Sequence, residues 1–125
     1  MAKITGIGGV FVRSKDETAR RAWYRDHLGL DGDYGAVLPY RAAGDEAFSI
    51  LSGFSPDTDY LAPSPHDIMV NLRVDDLDAM QAKLESEGVE ILDRKDESYG
   101  KFAWLLDPDG VKIELWEQIG PAPAV

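Results

Sequence analysis

The sequence predicts an α+β fold built from two β-α-β-β-β units in one domain, and three observations carry that expectation. A strand-like stretch recurs at an offset of 60 residues; each copy runs into a helical pattern closed by a glycine; and a Pro-Gly turn near the end separates two alternating strands. The first unit is expected over about residues 4–52, a crossing segment over 53–66, the second unit over about 67–118 and a loose tail over 119–125.

Val10-Phe11-Val12-Arg13-Ser14-Lys15-Asp16 overlays Val70-Asn71-Leu72-Arg73-Val74-Asp75-Asp76, and both alternate as strands do before reaching an acidic helix start. The first helix is expected over Glu17 to Leu28, with Ala19, Ala22, Trp23 and Leu28 inward and Ser14-x-x-Glu17 as a capping box. The second is expected over Leu77 to Glu87, with Leu77, Met80 and Leu84 on its inner stripe. Gly29 and Gly88 close them. Strands at 34–41 and 46–52 complete the first unit. Val89 to Leu92, Lys101 to Leu106 and Val111 to Glu117 complete the second, with Asp107-Pro108-Asp109-Gly110 as a type I turn.

Composition bounds the function. At 44% apolar and 29% charged, the chain can bury a core and is not disordered throughout. No apolar run approaches the roughly 20 residues of a membrane span. The absence of cysteine excludes disulfides, thiol nucleophiles and thiolate metal sites. A net charge of −10 argues against a nucleic-acid partner, because a phosphate backbone demands a cationic surface. The N-terminal stretch lacks a signal-peptide apolar region, so a cytoplasmic location is expected.

Alternation assigns the faces. Val10, Val12, Val70, Leu72, Val74, Ala103, Leu105, Val111, Ile113 and Leu115 should pack on the helices. The opposite face receives Gly9, Phe11 and Arg13; Met69, Asn71 and Arg73; Phe102, Trp104 and Leu106; and Lys112, Glu114 and Trp116. Aromatics mixed with a few polar groups are what small-molecule clefts present.

Three stretches then resemble a known family. Trp23-Tyr24-Arg25-Asp26-His27-Leu28-Gly29-Leu30, Val74-Asp75-Asp76-Leu77-Asp78 and Asp107-Pro108-Asp109-Gly110-x-x-x-Glu114-Leu115 are together similar to the vicinal oxygen chelate superfamily of glyoxalases, bleomycin-resistance proteins and extradiol dioxygenases. The resemblance implies paired units curving into an open, barrel-like cleft, often in a homodimer. In metal-dependent relatives it also implies His, Gln and Glu ligands on that cleft. Carried over residue by residue, those positions fall on Gly9, Phe48, Met69 and Glu114, of which only the last has a suitable donor.

Glu114 therefore has two readings: a general base raised by Trp104 and Trp116, or an ion-pair partner of Arg13 or Arg73. Trp104 and Trp116 either clamp a ligand or plug the cleft or a dimer seam. Phe11, Phe48 and Met69 are expected to line the same pocket, and Asn71 and Arg73 either to orient a polar or anionic group or to satisfy each other and Glu114. No nucleophile–base constellation and no phosphate-binding glycine loop is legible. The leading expectation is a protein that binds a small apolar or aromatic molecule in a cleft without the usual metal ligands. The alternative is a lyase, isomerase or dioxygenase with an altered divalent-metal site on Glu114 and His66. No other cofactor is expected; the expected partners are the small molecule and a second copy of the chain.

Overall fold

Two aspartates start the two helices, 60 residues apart. In the computed structural model, which describes residues 7, 9–32, 36–50 and 52–123, Asp16 caps α1 (Glu17–Leu28) by accepting the Ala19 N–H. Asp76 caps α2 (Leu77–Ser86) through Ala79 in the same way. The carboxylates satisfy amides that have no partner within the helix and complement its positive end. The expected capping box on Ser14 is corrected by one turn element: Ser14 Oγ accepts the Asp16 N–H instead. Gly29 ends α1 at φ 67°, a left-handed conformation that a Cβ would disfavour, and its N–H bonds the Arg25 carbonyl.

The sheet has four strands, β1 (Met69–Arg73), β2 (Asp93–Glu97), β3 (Gly100–Leu106) and β4 (Lys112–Gln118), in the order β1-β4-β3-β2. β1 runs parallel to β4, as a crossover through α2 requires, and the other pairs are antiparallel. Register then sets rows across the sheet. Asn71, Glu114 and Trp104 form one; Arg73, Trp116 and Phe102 form the next.

Leu28, Leu77, Leu84, Ala103, Leu105, Ile113 and Leu115 make the core, and Leu72, Val74, Met80 and Trp23 pack against it. This is the helix-facing set that alternation predicts for the second unit. Burying each large apolar side chain contributes about 1.5–3 kcal/mol. Glu117 Oε1 accepts the Leu77 N–H at 2.7 Å and ties β4 to the start of α2.

Several sequence expectations are corrected. Among the described residues, strands are confined to the second unit. Residues 9–13 form no ladder, and Val10 is 61% exposed. Residues 36–50 contain only a 3-10 turn, Tyr40–Ala43, where two strands were expected; positions 34, 35 and 51 lie outside the described residues. Val89 and Ile91 pack on the core without pairing as a strand, and the ladder falls on the charged stretch Asp93–Glu97. An edge strand needs no apolar alternation, and charges there discourage edge-to-edge association. Ala19, expected inward, is exposed. No helix among the described residues is long and apolar enough to cross a membrane.

One buried network joins the two halves. Arg20 Nη1 on α1 lies 2.7 Å from Asp107 Oδ2 and 2.8 Å from Asp109 Oδ2 in the β3–β4 turn. The Tyr24 hydroxyl donates to Asp107 Oδ2 at 2.7 Å, and the Asp109 and Val111 amides donate to Asp107 Oδ1. The Asp107 side chain is 0% exposed. Removing one partner of such a buried pair leaves an uncompensated charge. Arg20→Ala is therefore expected to lower stability by about 3 kcal/mol in urea unfolding, while Arg25→Ala, at an exposed pair, should leave the unfolding midpoint nearly unchanged.

Candidate functional site

Glu114 sits mid-strand on β4, 8% exposed, on the face away from the helices. Register places Asn71 on one side and Trp104 on the other. Asn71 Nδ2 donates to Oε1 at 2.7 Å and Trp104 Nε1 to Oε2 at 2.8 Å. The Tyr60 hydroxyl, from the crossing segment, donates to the same Oε2 at 2.5 Å. The carboxylate is thus held by three neutral donors.

This corrects the expected ion pair. Among the described residues Glu114 has no arginine partner. Arg13 is exposed, outside the cluster. Arg73 lies over the Trp116 ring, with its guanidinium carbon 4.9 Å from the centroid. Its Nε and Nη1 are buried without a hydrogen-bond partner, as is Trp116 Nε1.

The structure brings most of the expected aromatic side chains together. Phe102 stacks between Trp104 and Trp116, with centroids at 6.2 and 6.5 Å. Phe48 meets Trp116 edge-on at 5.2 Å, and Tyr60 meets Trp104 edge-on at 6.1 Å. Gly100 makes this fit possible: a Cβ there would stand 2.6 Å from Trp116 Nε1. Met69 shares the face at the start of β1, in register with Lys112. Phe11 does not join the cluster; it is 93% exposed, because the stretch that carries it pairs with no strand.

Two site residues were missed from the sequence. Tyr60 reads there as part of a Pro/Ser-rich crossing, with no period to assign it a face. Lys112 is on the expected face but shows no role until its amine is seen 5.1 Å from the Tyr60 ring centroid, donating to the Tyr60 and Ala62 carbonyls. It pins the crossing segment over the sheet. A separate hollow of about 320 Å³ between the end of α1 and residues 87–92 shares no residue with this cluster. It is open and lacks unpaired buried polar atoms, so the Glu114 face is the better candidate.

The Glyoxalase/Bleomycin resistance protein/Dioxygenase superfamily profile matches residues 6–115, nearly the whole chain. The chain belongs to this superfamily. Among solved structures, it is similar to the antibiotic binding protein TnmS3 from Streptomyces sp. CB03234, at 26% identity and TM-score 0.63 over 95% of this chain and 100% of that one. A glyoxalase/dioxygenase from Nostoc punctiforme shares the fold at 17% identity and TM-score 0.54, over 96% and 99% of the two chains. So does a structure from the mobile metagenome of V. Pseudocholerae, at 16% identity and TM-score 0.56, over 96% and 99%. No match was found among curated proteins.

Superfamily membership raises the question of a metal, and the residues present do not fit one. The donors around Glu114 point their hydrogens at its lone pairs, the reverse of what a cation's surroundings supply. Phe48 is committed to Trp116. His66, on the crossing segment, places Nε2 2.8 Å from the Asp109 carbonyl. Among the described residues, no three His, Asp or Glu side chains gather to hold an ion. The superfamily's motif residues serve the frame instead: Tyr24, Asp107 and Asp109 meet in the Arg20 network.

Two outcomes follow from the hydroxyl contacts. Tyr60→Phe removes one donor to a charged acceptor and is expected to cost about 1.5–3 kcal/mol in urea unfolding. Burial first, then the hydrogen bond to Glu114, pushes the Tyr60 phenol above its ordinary value; burial and Asp107 do the same for Tyr24. A raised folded-state value favours the neutral phenol, so this stability is present below about pH 10 and is lost as pH rises beyond it. Ultraviolet difference spectroscopy should show these two phenols ionising above the ordinary tyrosine range, with unfolding following.

Proposed function

We propose that the chain is a binding protein for a small, largely aromatic molecule, held against Trp104 and Trp116 without a metal. One observation carries the reading: a continuous row of rings runs from Phe48 through Trp116, Phe102 and Trp104 to Tyr60, beside a carboxylate locked by neutral donors. Phe54 extends the row outward, 5.2 Å from Tyr60 and largely exposed, so the rings reach from the interior to the surface. A flat ligand enters by taking the place of Tyr60 and Phe54 against Trp104, since offset or edge-on ring contacts are interchangeable at modest cost. Glu114 then serves as the fixed acceptor that orients Trp104, and the bonds from Asn71 and Trp104 leave it poorly placed to abstract a proton. The likeness to an antibiotic binding protein supports the same reading.

The reading includes a homodimer, supported by the unpaired outer edge of β1 and the exposed Val10 and Phe11, and a cytoplasmic location with no nucleic-acid or membrane partner. The experiment is a tryptophan-fluorescence titration against a panel of aromatic metabolites and antibiotics. Saturable quenching is expected, weakened about tenfold or more by Trp104→Ala, and unchanged after dialysis against a chelator. Silence across the panel would reject the proposal. Binding that disappears on chelation and returns with a divalent ion would favour a metal-dependent lyase, isomerase or dioxygenase.

A further inference from the structure

The face around Glu114 has a second pole that nothing among the described residues completes. Arg73 is the last residue of β1 and stands in register with Trp116. Its guanidinium carbon lies 4.9 Å from the centroid of that indole, a cation–π contact. Such a contact satisfies the charge in part but none of the N–H groups. Arg73 Nε and Nη1 are sealed from solvent with no acceptor. Buried arginines are ordinarily paired, and Arg20 in this chain is bonded to two carboxylates. Arg73 has no such partner among the described residues, although 23 acidic residues are distributed over the chain.

Glu114, in the neighbouring row on the same face, is already occupied by Asn71, Trp104 and Tyr60. Among the described residues nothing supplies an acceptor to Arg73 Nε or Nη1. A buried donor left unmade costs about 1–3 kcal/mol, more when charged. Such a cost is recovered when a ligand supplies the acceptor, and a carboxylate suits a guanidinium best in charge and geometry.

We infer that Arg73 and the Trp116 ring form an anion subsite that selects an aromatic carboxylate as the ligand of the cleft. The inference rests on the binding function proposed above and narrows it to ligands carrying an anionic group beside a ring. The ring stacks in the row of aromatics; the carboxylate replaces the missing acceptor at Arg73.

Isothermal titration calorimetry with a matched pair, 2-naphthoate and its neutral amide, tests this on the full chain. The acid is expected to bind about tenfold or more tightly than the amide, the scale of one charge-assisted hydrogen bond. Arg73→Met should abolish that preference, and Arg73→Lys should keep part of it. Circular dichroism of each variant checks the fold, and the wild-type comparison stands without any variant. Equal binding of acid and amide would overturn the subsite but leave the aromatic cleft standing. Binding of neither would overturn both. If Arg73→Met instead changes the oligomeric state and the wild type shows no acid preference, the acceptor is a carboxylate of a second copy, and the ligand subsite is rejected.

Discussion

The carboxylate of Asp107 is the constraint on which the arrangement depends. It lies at the end of β3, fully removed from water, and accepts from Arg20 and Tyr24 on α1 and from two amides of its own turn. Unpaired, it would cost several kcal/mol; paired, it clamps a helix of the first unit to the turn that sets the register of β3 against β4. That register decides which side chains stand opposite Glu114. Moving it by one residue would turn Glu114 and Trp116 into the helix core and Ile113 and Leu115 out of it. The ion network is therefore remote from the site in chemistry but determines its composition.

On the other face the same fold solves a buried carboxylate differently. Asp107 has a cation; Glu114 has only an amide, an indole and a phenol. Each donor to a charged acceptor contributes about 1.5–3 kcal/mol, enough in sum to offset the desolvation of one carboxylate. The arrangement also fixes three side chains by a single acceptor, so Asn71, Trp104 and Tyr60 share their orientation. Rigid rings with preset orientation lose little entropy when a ligand stacks on them. A carboxylate that holds rings in place is a different device from one that holds a metal, though both occupy the same strand position.

How much of this was legible in the sequence follows from which signals are local. The caps at Asp16 and Asp76, the Pro108–Gly110 turn and the apolar stripe of α2 are short-range patterns, and the helices and the last two strands come out within one or two residues of expectation. Alternation in β1, β3 and β4 placed Asn71, Arg73, Trp104, Glu114 and Trp116 on a common face because strand parity is rigid. The failures share a cause. Asp93–Glu97 is a strand only because β3 offers it an edge, and Phe11 lies outside the cluster because no strand accepts its stretch. Tyr60 reaches Glu114 from a segment without periodicity, 54 residues away in the chain. Pairing partners and crossings are tertiary facts, and composition carries no trace of them.

Charge adds a last distinction between the whole chain and the site. A net charge of −10 repels anions at long range and would steer cations toward the protein. At physiological salt that field is screened over about 8 Å, so it governs encounter more than residence. Residence is set by what lies inside, where the cluster offers two guanidinium nitrogens without an acceptor and a carboxylate already satisfied. A cation would find no free acceptor at Glu114 and an uncompensated charge at Arg73. An anion would meet the opposite situation, slower to arrive but with a buried partner waiting. Surface charge and site charge therefore select for different things, and the sign of the ligand follows from Arg73, not from the acidic surface.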